Sequence, residues 1–144
     1  MIDVSDKPVV YRQASAIGEI LLKPSTVGVI KKGRLEKGDP FPVARVAAIL
    51  AAKNTGSIIP MCHGIPLTGV EVDFTLLDSG VRVRSVVRAS WKTGVEMEAL
   101  VATTVALLTV WDMVKQYEKD EDGQYPETRI LEVRVEQKLK KDSP

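Results

Sequence analysis

Residues 99–111 read ALVATTVALLTVW, thirteen positions whose only polar side chains are three threonines. No other stretch restricts the fold as strongly. Leu100, Val101, Val105, Leu107, Leu108 and Val110 fall on every side of a helical wheel, and a helix that is apolar all round has to be covered all round. The run is well short of the roughly 20 residues that a membrane span needs, so protein must do the covering. One small sheet covers one side. The other side meets a second copy of the chain, because exposing that much apolar surface is costly, or it is wrapped by helices from the amino-terminal half. The first reading makes the protein an oligomer with this helix at or near an interface.

The rest of the chain supplies the sheet. Its 144 residues support one core, hence a single domain over 1–144, and are too few for two ordinary domains. Extended segments are expected at 9–14 and 19–22. Pro24 suits a first helical residue and Gly33 a stop, which predicts a short helix over 24–32. Apolar residues at helical spacing (Val43, Val46, Ala47, Leu50, Ala51) predict a second helix over 42–53. The segment 57–69 holds two prolines and two glycines and is expected to be irregular. Alternation at 70–77 and 81–90 around a DSG turn predicts a hairpin. The long helix is expected from about Gly94 to Glu118, a last strand over 128–138, and a frayed tail from about 139 to 144. Strand, helix, helix, hairpin, helix, strand is the order of an α+β fold, a ferredoxin-like antiparallel sheet with helices on one face.

Charge and cysteine usage bound the function. The formal net charge of +1 gives no bulk field for nucleic acid or an anionic membrane. Cys62 is the only cysteine, so no intrachain disulfide can form. Met1 is followed by IDVSDKP rather than a basic and then apolar run, and a cytoplasmic location is the expectation.

Both ends of the long helix carry charge. Glu96 and Glu98 stand at its start and Asp112 and Lys115 at its end. Glu98 and Asp112 share a face, about 21 Å apart along the axis, too far for one small ligand within one chain. Two copies running antiparallel across a twofold axis bring Glu98 of one near Asp112 and Lys115 of the other. Each end then supplies half of a site. Asp112 and Lys115, three apart, can pair; they suit proton transfer if partly buried, or form a plain surface ion pair. Glu96 and Glu98 also fit the helix dipole, though residues two apart face opposite sides. His63, the only histidine, lies in PMCHGIP. It is either a hydrogen-bonded residue in a tight loop or a rigid ligand-facing corner; a Cys62–His63 nucleophile pair is disfavoured because such partners usually come from separate segments. Zinc-ligand spacings are absent, and there is no phosphate-binding glycine motif.

Two stretches name a chemistry. KTGVEMEAL (92–100) and IPMCHGIPLTGVEVDF (59–74) resemble the molybdenum cofactor biosynthesis protein C family, the cyclic pyranopterin monophosphate synthases, whose usual forms are KTGVEMEAL and IPLCHPLPLTGVEV. MIDVSDKPVVYRQA resembles the family's start, KGD…ARVAAILAAKNT its second helix, and ALLTVWDMVK its AALTVYDMCK. The resemblance runs from Met1 to about Glu132. It implies a ferredoxin-like subunit in a homo-oligomer, a dimer unit assembled as a hexameric trimer of dimers. It implies a purine-derived triphosphate as substrate: a cyclised dihydroguanosine triphosphate is rearranged to cyclic pyranopterin monophosphate with release of pyrophosphate. Asp112, Lys115 and Lys37 correspond to the catalytic set. Met61, Cys62, His63, Glu96, Met97 and Glu98 correspond to substrate contacts. No dedicated cofactor or metal is implied. Three departures stand out. Gly64 replaces the family's proline, Trp91 stands where a small residue is usual, and VRVEQKLKKDSP replaces a glycine-rich tail, leaving Lys138, Lys140 and Lys141 as candidate stand-ins for its phosphate contacts.

Overall fold

The structure, a computed structural model, describes residues 1–142. The elements follow in the order β1 (Val10–Leu21), α1 (Pro24–Lys31), α2 (Pro40–Lys53), α3 (Thr55–Ile58), β2 (Gly69–Leu77), β3 (Gly80–Trp91), α4 (Glu96–Glu118) and β4 (Arg129–Lys141). The strands form one sheet in the order β2-β3-β1-β4, with every neighbouring pair antiparallel. This is the expected α+β, ferredoxin-like arrangement.

Strand periodicity decides which face of the sheet the helices cover. Ala14, Ala16, Ile20, Val81, Val83 and Val87 are buried. The opposite face carries Arg82, Arg84 and Arg88, paired with Glu19, Glu136 and Glu71. The two extended segments expected at 9–14 and 19–22 are one strand. Residues 14–18, ASAIG, have weak strand propensity, yet β1 is central, and both β3 and β4 supply it with backbone partners. Small residues are what this position needs. A methyl group on Gly18 would lie 2.9 Å from Val133 Cγ2 and 3.0 Å from Leu107 Cδ1. The β1–β4 pairing shifts register between Ser15 and Ala16 and again between Ile17 and Glu19. Beside it, Glu132 takes a left-handed conformation, φ 58°, as bulged strands do.

The helix α2 starts two residues before the expected boundary. Asp39 accepts a hydrogen bond from the Phe41 N–H at 3.0 Å and caps it, and the proline at its first position needs no N–H partner. The single turn α3 carries no sequence signal of its own. At the other end, residues 139–141, expected in the frayed tail, continue β4 and pair with Gln13, Arg12 and Tyr11. Of the rest of that tail, Asp142 is a bend and residues 143–144 lie outside the described residues.

The apolar helix is covered on two sides. Ala99, Ala102, Ala106, Leu107, Val110 and Val114 are buried, each of the larger ones contributing about 1.5–3 kcal/mol. The sheet covers one side. The buried alanines Ala44, Ala48 and Ala52 of α2 share a core with Ala102, Ala106, Leu107, Val110 and Val114, so part of the wrapping by amino-terminal helices does occur within the chain. A third side stays open, with Leu108 51% and Met97 41% exposed. The outer side of α2 is apolar as well, with Val43, Val46 and Leu50 exposed. Length and hydropathy alone would let α4 cross a membrane, but half of that stretch is buried in the protein.

Glu118, the last residue of α4, is fully buried. Its carboxylate accepts from the Lys23 N–H, the Thr26 hydroxyl and the Thr128 hydroxyl. Lys23 precedes α1 and offers no side-chain cap, so Glu118 caps α1 from another element and ties it to the start of β4.

Candidate active site

The approach to the site is built from backbone constraints. After α3 the chain folds back on itself. A methyl group on Gly56 would lie 3.3 Å from backbone atoms of Gly64, so 61–64 is pressed close against α3. This brings Met61, Cys62 and His63 to the first turn of α4. There Met61, Cys62, His63, Glu96, Met97 and Glu98 line one cavity of about 280 Å³, together with Ile65, Thr93 and Gly94. All six residues expected as substrate contacts therefore share one space.

The two carboxylates in this cavity differ. Burial pushes the Glu98 carboxyl above its ordinary range, and the nearby Glu96 adds to this against a hydrogen bond from the backbone. Glu98 is 3% exposed, and its Oε2 is buried without a hydrogen-bond partner. Burial also pushes Glu96 up, but here the hydrogen bond and charge of Lys138, a backbone amide and the charge of Arg12 outweigh it, so its carboxyl is held below the ordinary range. Lys138 Nζ lies 2.7 Å from Glu96 Oε1. One acid is thus disposed to keep a proton and its neighbour to lose one, the division of roles that acid–base work needs. Cys62 is a third titratable group. Burial, aided by Glu98, raises its thiol, which favours the uncharged form over the nucleophilic thiolate. His63 bonds to the Ile2 carbonyl, and the Cys62–His63 nucleophile pair does not form.

Lys37, Asp112 and Lys115 meet at the far end of α4. Lys115 Nζ lies 2.9 Å from Asp112 Oδ1. Lys37 Nζ donates to the Asp112 carbonyl at 2.9 Å and lies 3.5 Å from Oδ2. The loop holding Lys37 is fixed from three directions. Gly38 takes φ 93°, which glycine adopts freely; Asp39 caps α2; and the Glu36 N–H donates to the Tyr117 hydroxyl at 3.1 Å. The hydrogen bond and charge of Lys115, then the charge of Lys37, hold Asp112 below the ordinary carboxylate range. The same contact raises Lys115. These groups face solvent, with Asp112's side chain 61% exposed, so of the two alternatives the sequence leaves open, one chain alone shows the surface ion pair and not the partly buried one. Nor are the two clusters joined, since α4 itself separates them.

Arg12 is the neighbour that residue patterns alone missed. Its terminal nitrogen donates to the Lys92 carbonyl at 3.2 Å, and its Nε is buried without a partner. Lys140 stands directly opposite it on β4. Strand pairing, with no local motif, puts it there. Among the described residues, no group of three or more His, Cys, Asp or Glu side chains is placed to hold a metal ion.

A sequence model of the MoaC family matches residues 1–140. A protein of Sulfolobus acidocaldarius named "probable cyclic pyranopterin monophosphate synthase" is 55% identical over 97% of the chain and 98% of its own length. One from Pyrococcus furiosus with the same name is 53% identical over 99% of the chain and 91% of its own length. One from Methanothermobacter thermautotrophicus, named "probable cyclic pyranopterin monophosphate synthase accessory protein", is 54% identical over 97% of the chain and 88% of its own length.

Proposed function

The chain belongs to the MoaC family, and from that premise we propose that it is a cyclic pyranopterin monophosphate synthase, a lyase of molybdenum cofactor biosynthesis. It converts a cyclised dihydroguanosine triphosphate to cyclic pyranopterin monophosphate and pyrophosphate. The observation that carries this reading is the gathering of Met61, Cys62, His63, Glu96, Met97 and Glu98 around one cavity. The reaction breaks a C–N bond and needs a ribose hydroxyl to attack the inner phosphorus, so protons must be given and taken. Glu98, raised by burial, is fitted to donate. Glu96 and His63 are fitted to bind N–H groups of the guanine-derived ring. Lys37 and Lys115 are the acid–base pair of the other cluster and can neutralise phosphate oxygens as pyrophosphate leaves.

Neither cluster is a complete site. The exposed apolar residues of α2 and α4 support a homodimer in which the Glu98 end of one copy faces the Asp112 end of its partner. Three such dimers make a hexamer. Each active site is then shared, and Asp112 and the lysines gain the burial they lack alone. The unit spanning 1–144 works in the cytoplasm.

The accessory name of the Methanothermobacter relative favours one alternative, an oligomer that binds the pterin precursor without turning it over. An assay separates the two. Purified protein with the cyclised triphosphate should yield equal amounts of pyranopterin product and pyrophosphate. Tight binding with neither product rejects catalysis and leaves the binding role.

A further inference from the structure

His63 lies on the boundary between two spaces. It lines the cavity with Glu96 and Glu98 and also a groove under residues 1–5. Its Nε2 is 2.7 Å from the Ile2 carbonyl oxygen. A carbonyl oxygen only accepts hydrogen bonds, so Nε2 carries a hydrogen, and in the neutral ring Nδ1 is the acceptor. The segment supplying that carbonyl is itself fastened. Lys92 Nζ donates to the Ser5 carbonyl at 2.8 Å. Asp3 Oδ1 accepts from the Ser5 N–H at 2.8 Å and from the Ser5 hydroxyl, and the Lys7 N–H closes a turn onto the Val4 carbonyl at 3.0 Å. Lys92 directly precedes Thr93 and Gly94 of the cavity wall, so one strap spans the outer side of His63 from the site's own lining.

We propose that residues 2–7 are a positioning element for His63. The Ile2 carbonyl holds the imidazole as its Nε2–H tautomer, so that the neutral ring offers Nδ1 to an N–H or O–H of the bound substrate. The consequence for substrate rests on the reading given above; the tautomer itself does not. A hydrogen bond of ordinary net strength biases the tautomer ratio roughly two- to twelvefold. Without the strap the ring is free to take either tautomer, and a substrate donor then meets an N–H in part of the molecules.

A single histidine makes the test direct. The full chain is prepared with 15N at Nε2 of histidine in one sample and at Nδ1 in another, and solid-state spectra are recorded without substrate at a pH where the ring is neutral. In the intact protein Nε2 gives an N–H signal and Nδ1 a lone-pair signal. Deleting residues 2–4 removes the carbonyl, and Lys92→Met releases the strap while leaving Ile2 in place. Each should lower the ratio of the Nε2–H to the Nδ1–H tautomer two- to twelvefold. An Nδ1–H form in the intact protein overturns the proposal, as does an unchanged ratio in Lys92→Met, which decides the matter even if the deletion variant does not fold. If the variants shift the tautomer while the intact protein makes no pyranopterin product, the synthase reading is refuted and the positioning role stands.

Discussion

Glu98 carries a cost that pH can reveal. Its carboxyl is held above the ordinary range by burial, so the folded state binds its proton more tightly than the unfolded chain does. Stability from this group is greatest at low pH and is lost as pH rises from the unfolded value, near 4.5, through the raised folded value. Glu98→Gln keeps the shape and removes the titration. The parent's melting temperature relative to the variant's should fall from acid to neutral pH, the depressed carboxylates such as Glu96 and Asp112 being common to both; parallel curves would show that Glu98 does not titrate abnormally. Lys37 and Lys115 make the opposite kind of prediction. Both are solvent-facing within the chain, so replacing either with alanine should leave the subunit's own fold, read by circular dichroism, unchanged. If they transfer protons, turnover should drop about 10²- to 10⁴-fold. A loss below threefold would remove them from the chemistry.

Elements meet at two points where one atom too many or one carboxylate too few should be felt. At Gly18 the centre of β1 touches α4 and β4, and the nearest side-chain carbons leave no room for a methyl group. Gly18→Ala should cost about 1–3 kcal/mol in denaturant unfolding, the usual penalty for overpacking. Glu118 joins α4, α1 and the start of β4. In Glu118→Ala the Lys23 N–H and two buried hydroxyls lose their acceptor, and the loss should be about 2–4 kcal/mol. A smaller change at Glu118 would mean that water takes the carboxylate's place. At this scale most of the architecture is legible in the residues. Hydrophobic alternation yields the hairpin, and the proline and glycine signals bound α1. Segment 14–18 is the exception, because Ala14, Ala16 and Gly18 are chosen there for a helix pressed against them rather than for strand propensity.

The whole molecule is defined by what α4 separates. One end gathers the residues proposed to hold the pterin ring, the other those proposed to meet phosphates and transfer protons, about 21 Å apart along the axis. A shared site makes a quantitative prediction. Subunits carrying Glu98→Ala and subunits carrying Lys115→Ala are each inactive alone. After equal mixing and exchange, half the dimers are mixed, and each mixed dimer holds one site with both ends intact. About a quarter of full activity should return. No recovery after exchange has been verified would mean that each site lies within one chain.

From its residues alone the chain determines its element order, its sheet-and-helix class, the apolar helix that demands covering, and the motifs that mark both ends of that helix. These are local properties, set by side-chain period, turn chemistry and short segments whose spacing is visible in one dimension. Tertiary structure decides the rest. It gives Glu96 and Glu98 opposite tendencies, because Lys138 of β4 and Arg12 of β1 act on one of them while the other is buried with its Oε2 unpartnered. It brings Ile2 to His63 across sixty-one positions. Protonation and tautomer depend on which groups are near and on how much water is excluded, and both are settled by contacts between residues far apart in the chain.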